Sequence, residues 1–109
     1  MNKKNVDKIT LEQLKTVEDI LLKKRDEYIL DEKDTADQLS NFKRAATLLN
    51  ETPKQALMGM LAKHLVSISD MVQTDNEYPV ELWNEKITDA MVYLVLLKAL
   101  VIEEKSKQK

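Results

Sequence analysis

The stretch at residues 52–73, TPKQALMGMLAKHLVSISDMVQ, decides the fold of this chain. Its first residues, Thr52, Pro53 and Gln55, place a capping side chain, a proline at the first helical position and a capping glutamine in register. Apolar side chains then recur with helical spacing and predict one buried face: Leu57, Met60, Leu61, Leu65, Ile68 and Met71. The stretch therefore predicts an amphipathic helix that ends near Gln73.

The same spacing predicts three more helices around this one. Thr10 and Thr35 each stand three residues before a glutamine, a pattern that is typical of a helix start. We expect one helix from about residue 10 to about residue 30, and a second that follows Thr35 and ends at Asn50. Pro79 opens a fourth helix that extends to about residue 103. The second helix is expected to bury Leu39, Phe42, Ala45, Ala46 and Leu49.

The composition agrees with this reading. The 109 residues include one glycine and two prolines, too few for the turns of a multi-stranded β protein. The sequence predicts a single all-α domain over residues 1–109, a bundle of about four helices. Residues 1–9 and 104–109 are expected to be frayed tails.

Charge and hydropathy exclude several classes of function. The 17 basic and 19 acidic side chains nearly balance, so we do not expect a nucleic-acid-binding protein. The absence of cysteine excludes disulfides and thiolate metal sites. The N-terminus is polar, and the longest apolar run is shorter than the roughly 20 residues that a membrane span needs. We expect a cytoplasmic protein that does not enter a membrane.

The fourth helix carries two apolar stripes. One follows residues 83, 87, 90, 94, 97 and 101, and the other follows residues 91, 95 and 102. Either this helix is central in the bundle or it forms part of a subunit interface, because a wide apolar stripe is rarely left in water. We expect a homo-oligomer through helix four, with Leu94, Val95, Leu97 or Ile102 at or beside the interface.

Polar residues on the third and fourth helices offer a candidate site. Glu85, Asp89 and Tyr93 follow each other at four-residue spacing, and two carboxylates so placed are able to bind Mg²⁺. The alternative is an exposed Glu85, an Asp89 paired with a lysine and a Tyr93 that caps the core. Antiparallel packing would bring Lys63 of the third helix near Asp89, as an ordinary salt bridge or as a lysine beside a bound phosphate. Ser67 would then lie near Glu85, and Asp70 shares the face of Lys63 and Ser67.

Two stretches resemble a known group of proteins: KHLVSISDMV at residues 63–72 and LWNEKITDAMVYLVLLKAL at residues 82–100. They are similar to small phage and prophage proteins of unassigned function, which in turn resemble the all-α MazG-type nucleoside triphosphate pyrophosphohydrolases. The resemblance implies a MazG-like fold and a nucleotide ligand bound with Mg²⁺. The residues it implies are Glu85, Asp89 and Asp70 for the metal, and Lys63, Ser67 and Tyr93 for the substrate.

The chain departs from the MazG pattern, so two hypotheses stay open. MazG-type enzymes bind Mg²⁺ through acids spaced ExxE on one helix and ExxD on the next, whereas Glu85 and Asp89 are four residues apart and the preceding helix offers only Asp70. The first hypothesis is a MazG-like protein that binds or hydrolyses a nucleotide with Mg²⁺. The alternative is a non-catalytic phage interaction or anti-defence protein that binds and blocks a host protein. Whether the chain is an enzyme is left open, and a phage protein of either kind would act in the host cytoplasm.

Overall fold

Helices make up nearly all of the part of the chain that the computed structural model describes, residues 1–24 and 37–107. The α-helices are α1 (Lys3–Asp19), α2 (Ser40–Leu49), α3 (Pro53–Gln73) and α4 (Val80–Ser106), and a π-helical segment, Ile20–Lys24, follows α1. These described residues form no strand, and the predicted all-α fold class is confirmed. The chain divides into two compact units, Met1–Ala36 and Asp37–Lys109. The prediction of a single domain stays a prediction.

In the first unit, α1 begins earlier than the sequence pattern indicated. The side chain of Asn2 caps the helix by accepting a hydrogen bond from the backbone N–H of Asn5 at 2.9 Å. The predicted start at Thr10 is wrong, because the Thr10 hydroxyl lies inside the helix and donates to the carbonyl oxygen of Val6 at 2.9 Å. Residues 3–9, expected as a tail, are therefore helical. The predicted end near residue 30 lies outside the described residues.

In the second unit, α2 begins beside Asp37, whose carboxylate accepts a hydrogen bond from the backbone N–H of Leu39 at 2.9 Å. The capping pattern predicted at Thr35 lies outside the described residues. Asn50 ends α2 in the left-handed conformation (φ 56°), as predicted. The backbone N–H of Glu51 then donates to the carbonyl oxygen of Ala46 at 2.8 Å, which closes the helix end.

The predicted caps of α3 are confirmed. The Thr52 hydroxyl accepts a hydrogen bond from the backbone N–H of Gln55 at 3.2 Å, and the Gln55 side chain accepts one from the N–H of Thr52 at 2.8 Å. The helix ends at Gln73, and the short connection at residues 74–79 leads into α4. Consequently α3 and α4 pack as antiparallel neighbours. The last helix continues to Ser106, about a turn beyond its predicted end.

The core of the second unit lies where α2, α3 and α4 meet. Leu57 and Leu61 of α3 are fully buried, at 0% and 1% exposure. Leu49 was expected in this core, but it is mostly exposed because it stands at the last residue of α2, directly before the chain turns away. The central cluster consists of Leu39, Phe42, Leu57 and Leu100, with Met60, Tyr93, Leu96, Leu97 and Ala99 packed against it.

Two ion pairs hold the C-terminal part of α4 against the other helices of its unit. The Nζ of Lys43 on α2 lies 2.5 Å from Oε1 of Glu103, and the Nζ of Lys54 on α3 lies 2.9 Å from Oε2 of Glu104. These contacts link the end of α4 to both α2 and α3. Among the described residues, no helix is both long enough and apolar enough to cross a membrane.

Candidate functional site

The polar residues at the contact between α3 and α4 centre on His64 and Asp89. The Nδ1 of His64 lies 3.7 Å from Oδ2 of Asp89, and both side chains are partly exposed. A charged pair of this length forms only when the imidazole is protonated. The structure thus brings Asp89 next to an imidazole rather than next to the predicted lysine.

Tyr93 completes this cluster, one turn after Asp89 on α4. Its ring centroid lies 5.2 Å from that of His64 and 6.2 Å from that of Phe42 on α2, the latter in an edge-to-face arrangement. Burial raises the pKa of the Tyr93 phenol, and the nearby carboxylate of Asp89 raises it further. Tyr93 therefore stays neutral at physiological pH and acts as a packing residue between three helices.

The other predicted site residues do not join this cluster. Lys63 and Asp70 on α3 and Glu85 on α4 are exposed, and Ser67 is half-buried. Lys63 does not pair with Asp89, because it stands one residue before His64 and so points about 100° away around the helix. Of the six predicted site residues, Asp89 and Tyr93 lie beside His64.

The three acidic residues that the resemblance implies for a metal do not form one group. Within residues 1–24 and 37–107, no three carboxylate or imidazole side chains lie close enough together to hold a metal ion. Glu85, Asp89 and Asp70 are therefore not gathered into one site, and we derive no metal-dependent step from them. A shallow depression on α2 is lined by Lys43, Arg44, Thr47 and Leu48, and by none of the predicted site residues.

Large exposed apolar side chains are the more conspicuous feature of α4. Leu94, Val95 and Ile102 are 50%, 47% and 58% exposed, and we call these three residues the α4 stripe. Leu97, which was expected beside them, packs instead against the core cluster. The sequence pattern thus identified the outward apolar face of this helix but wrongly included Leu97 in it.

A second exposed apolar row lies on α3, and the sequence pattern did not predict it. Met58, Leu65 and Val72 are 47%, 46% and 67% exposed, and we call these three residues the α3 stripe. Leu65 was assigned to the buried face, and that prediction is wrong. The seven-residue spacing of the stripe was visible in the sequence, because side chains seven apart lie almost in line along a helix.

Comparisons of the chain with protein-family models, with curated proteins and with solved structures find no match.

Proposed function

We propose that this chain is a non-catalytic interaction protein that acts by binding the surface of another protein through the α4 stripe. The observation that carries the proposal is the half-exposed state of Leu94, Val95 and Ile102 on a helix whose opposite side packs in the core. Exposed apolar side chains on one helix face are typical of protein-binding surfaces, and the exposed Lys98 adds one positive charge between them. The resemblance to small phage proteins makes a host protein the partner class we propose.

The state of the predicted site residues supports an interaction protein over an enzyme. Glu85 and Lys63 are exposed, and Asp89 faces an imidazole. Hydrolysis of a nucleotide with Mg²⁺ needs carboxylates that hold the metal against phosphate oxygens. The nucleotide hypothesis stays a prediction, and its test is direct.

A photoreactive amino acid placed at position 94 tests the interaction function inside cells. The matched control carries the same amino acid at position 85, where Glu85 is exposed on another side of the same helix. We expect irradiation to give one dominant adduct from position 94 and little of it from position 85. The adduct should disappear when Ile102→Lys is added, because a charge at the end of the stripe disfavours apolar docking.

Calorimetric titration of the purified chain with Mg²⁺ and a panel of nucleotides is the second test of the proposed function. We expect no nucleotide binding. Mg²⁺-dependent binding that Asp89→Asn abolishes would overturn the interaction proposal and establish the nucleotide hypothesis.

In the photo-cross-linking experiment, equal adduct yields from positions 94 and 85 would also contradict the proposal, since they would show that the α4 stripe has no preferred partner.

A further inference from the structure

The α3 stripe lies on a helix face that carries little charge. Ala62 and Ser69 are exposed between Met58, Leu65 and Val72, so large and small uncharged side chains alternate along about four turns. The charged residues Lys63 and Asp70 lie on the other side of the same helix, more than 130° around from Leu65. An uncharged apolar face of this length is typical of a surface that binds another apolar protein surface.

We propose that a second copy of this chain covers the α3 stripe, with the two α3 helices antiparallel and crossing at Leu65. In this arrangement Leu65 faces the partner's Leu65, and Met58 faces the partner's Val72. The inference concerns a different helix face from the proposed function and does not depend on it.

Charge complementarity selects the antiparallel arrangement. Lys54 precedes Leu65 by eleven residues, and Asp75 and Glu77 follow it by ten and twelve. Crossing at Leu65 therefore places each Lys54 opposite the partner's acidic turn. The ammonium group of Lys54 is partly exposed beside Glu104 and has further N–H groups to donate. The helix dipoles also oppose each other only in this orientation, whereas a parallel pair would place like charges together.

The exposed area is sufficient for a modest dimer. Covering the α3 stripe with Ala62, Val66 and Ser69 on both copies would bury roughly 1,000 Å², at the low end of specific interfaces. We therefore expect a reversible dimer whose population rises with concentration over the micromolar range. Symmetric use of one surface closes the assembly at two copies.

The absence of cysteine from the chain allows a clean cross-linking test. Leu65→Cys places one thiol at the proposed crossing point, and Lys63→Cys places a matched exposed thiol on the other side of α3. Under mild oxidation we expect Leu65→Cys to form a disulfide-linked dimer and Lys63→Cys to stay largely monomeric. Equal cross-linking of the two variants would overturn the proposal.

Light scattering on the full chain gives an independent readout of the same arrangement. Leu65→Glu should raise the dimer dissociation constant by at least about tenfold, because it brings two carboxylates together. Val72→Glu should weaken the dimer, and adding Met58→Lys should restore it, since these positions face each other only in the antiparallel pair. A wild-type chain that stays monomeric at all concentrations would refute the dimer. The absence of a photo-cross-linked adduct from position 94 would refute the proposed function and leave the dimer unaffected. Failure of Met58→Lys to restore the dimer would refute the antiparallel register.

Discussion

His64 Nδ1 lies 3.7 Å from Asp89 Oδ2, across the contact between α3 and α4. This separation is too long for a hydrogen bond, and the two side chains are 24% and 39% exposed. Water therefore screens the interaction, which places it among the weak ion pairs of protein surfaces. Asp89 is held in a shallow polar cluster, and its removal leaves no lysine buried without a partner.

A double-mutant cycle should show which residue interacts with Asp89. We expect a coupling free energy below about 1 kcal/mol between Asp89→Asn and His64→Gln, and none beyond error between Asp89→Asn and Lys63→Met. Urea unfolding of the single and double variants measures both. A coupling with Lys63 of several kcal/mol would show that the lysine, and not the imidazole, is the partner of Asp89.

Tyr93 should be hard to ionise in the folded chain. Its pKa is raised by burial and, to a smaller extent, by Asp89, so the unfolded chain releases this proton at a lower pH than the folded chain. The free energy of unfolding contains a contribution that is fully present below the ordinary tyrosine pKa and is lost as the pH rises through the folded value. Thermal unfolding at rising alkaline pH should show this loss.

Tyr93→Phe is the matched control, because it keeps the ring that contacts His64 and Phe42 and removes the ionisable group. The variant should lose less stability on going to alkaline pH than the wild type does. An identical alkaline loss in both proteins would assign the effect to other groups.

The helix ends of α3 were predictable because their causes are local. Thr52, Pro53 and Gln55 satisfy the free backbone groups at the helix start within four residues of chain, so the pattern alone determines the structure. The start of α1 was not predictable in this way. Thr10 precedes a glutamine as a cap would, but its hydroxyl bonds equally well to a carbonyl inside a helix, and Asn2 supplies the cap instead.

The candidate site was less predictable because it depends on rotation around the helix axis. A shift of one residue along α3 exchanges Lys63 for His64 opposite Asp89. One residue corresponds to about 100° around the helix axis, and hydrophobic spacing does not determine the rotation of α3 to that precision. Leu65 shows the same limit, since it lies at the edge of the apolar face and packing with α2 and α4 leaves it outside. Tyr93 packs against the core cluster, as the alternative interpretation of a residue that caps the core expects, and its role in binding a substrate stays a prediction.

Core substitutions should separate buried from exposed leucines. Leu57→Ala should cost about 2 to 5 kcal/mol in the free energy of unfolding, because Leu57 is fully buried where α3 meets α2 and α4. Leu48→Ala is the matched control, since Leu48 is 85% exposed on α2, and it should change stability by less than about 0.5 kcal/mol. Denaturant melts give both values, and a similar cost for the two variants would contradict the core described above.

Acid should weaken the attachment of α4 to α2, because protonation of Glu103 breaks its ion pair with Lys43, while protonation of Asp37 removes the second partner of the same lysine. The Nζ of Lys43 lies 2.6 Å from Oδ2 of Asp37 and 2.5 Å from Oε1 of Glu103. These hydrogen bonds are the main cause that lowers the pKa of Asp37 and the pKa of Glu103. A lowered folded pKa gives stability that is present above the ordinary carboxyl pKa and is lost as the pH falls through the folded value.

Lys43→Met should therefore reduce the acid dependence of stability while costing only about 1 kcal/mol near neutral pH, since the three side chains are partly exposed and water screens them. Lys98→Met is the control, because Lys98 is an exposed lysine of α4 that takes no part in this network. Thermal melts from neutral pH down to about pH 3 should show a shallower decline for Lys43→Met than for wild type or Lys98→Met. Parallel declines in all three proteins would mean that the acid-sensitive carboxylates lie elsewhere in the chain, and that apolar packing alone holds the end of α4 against α2.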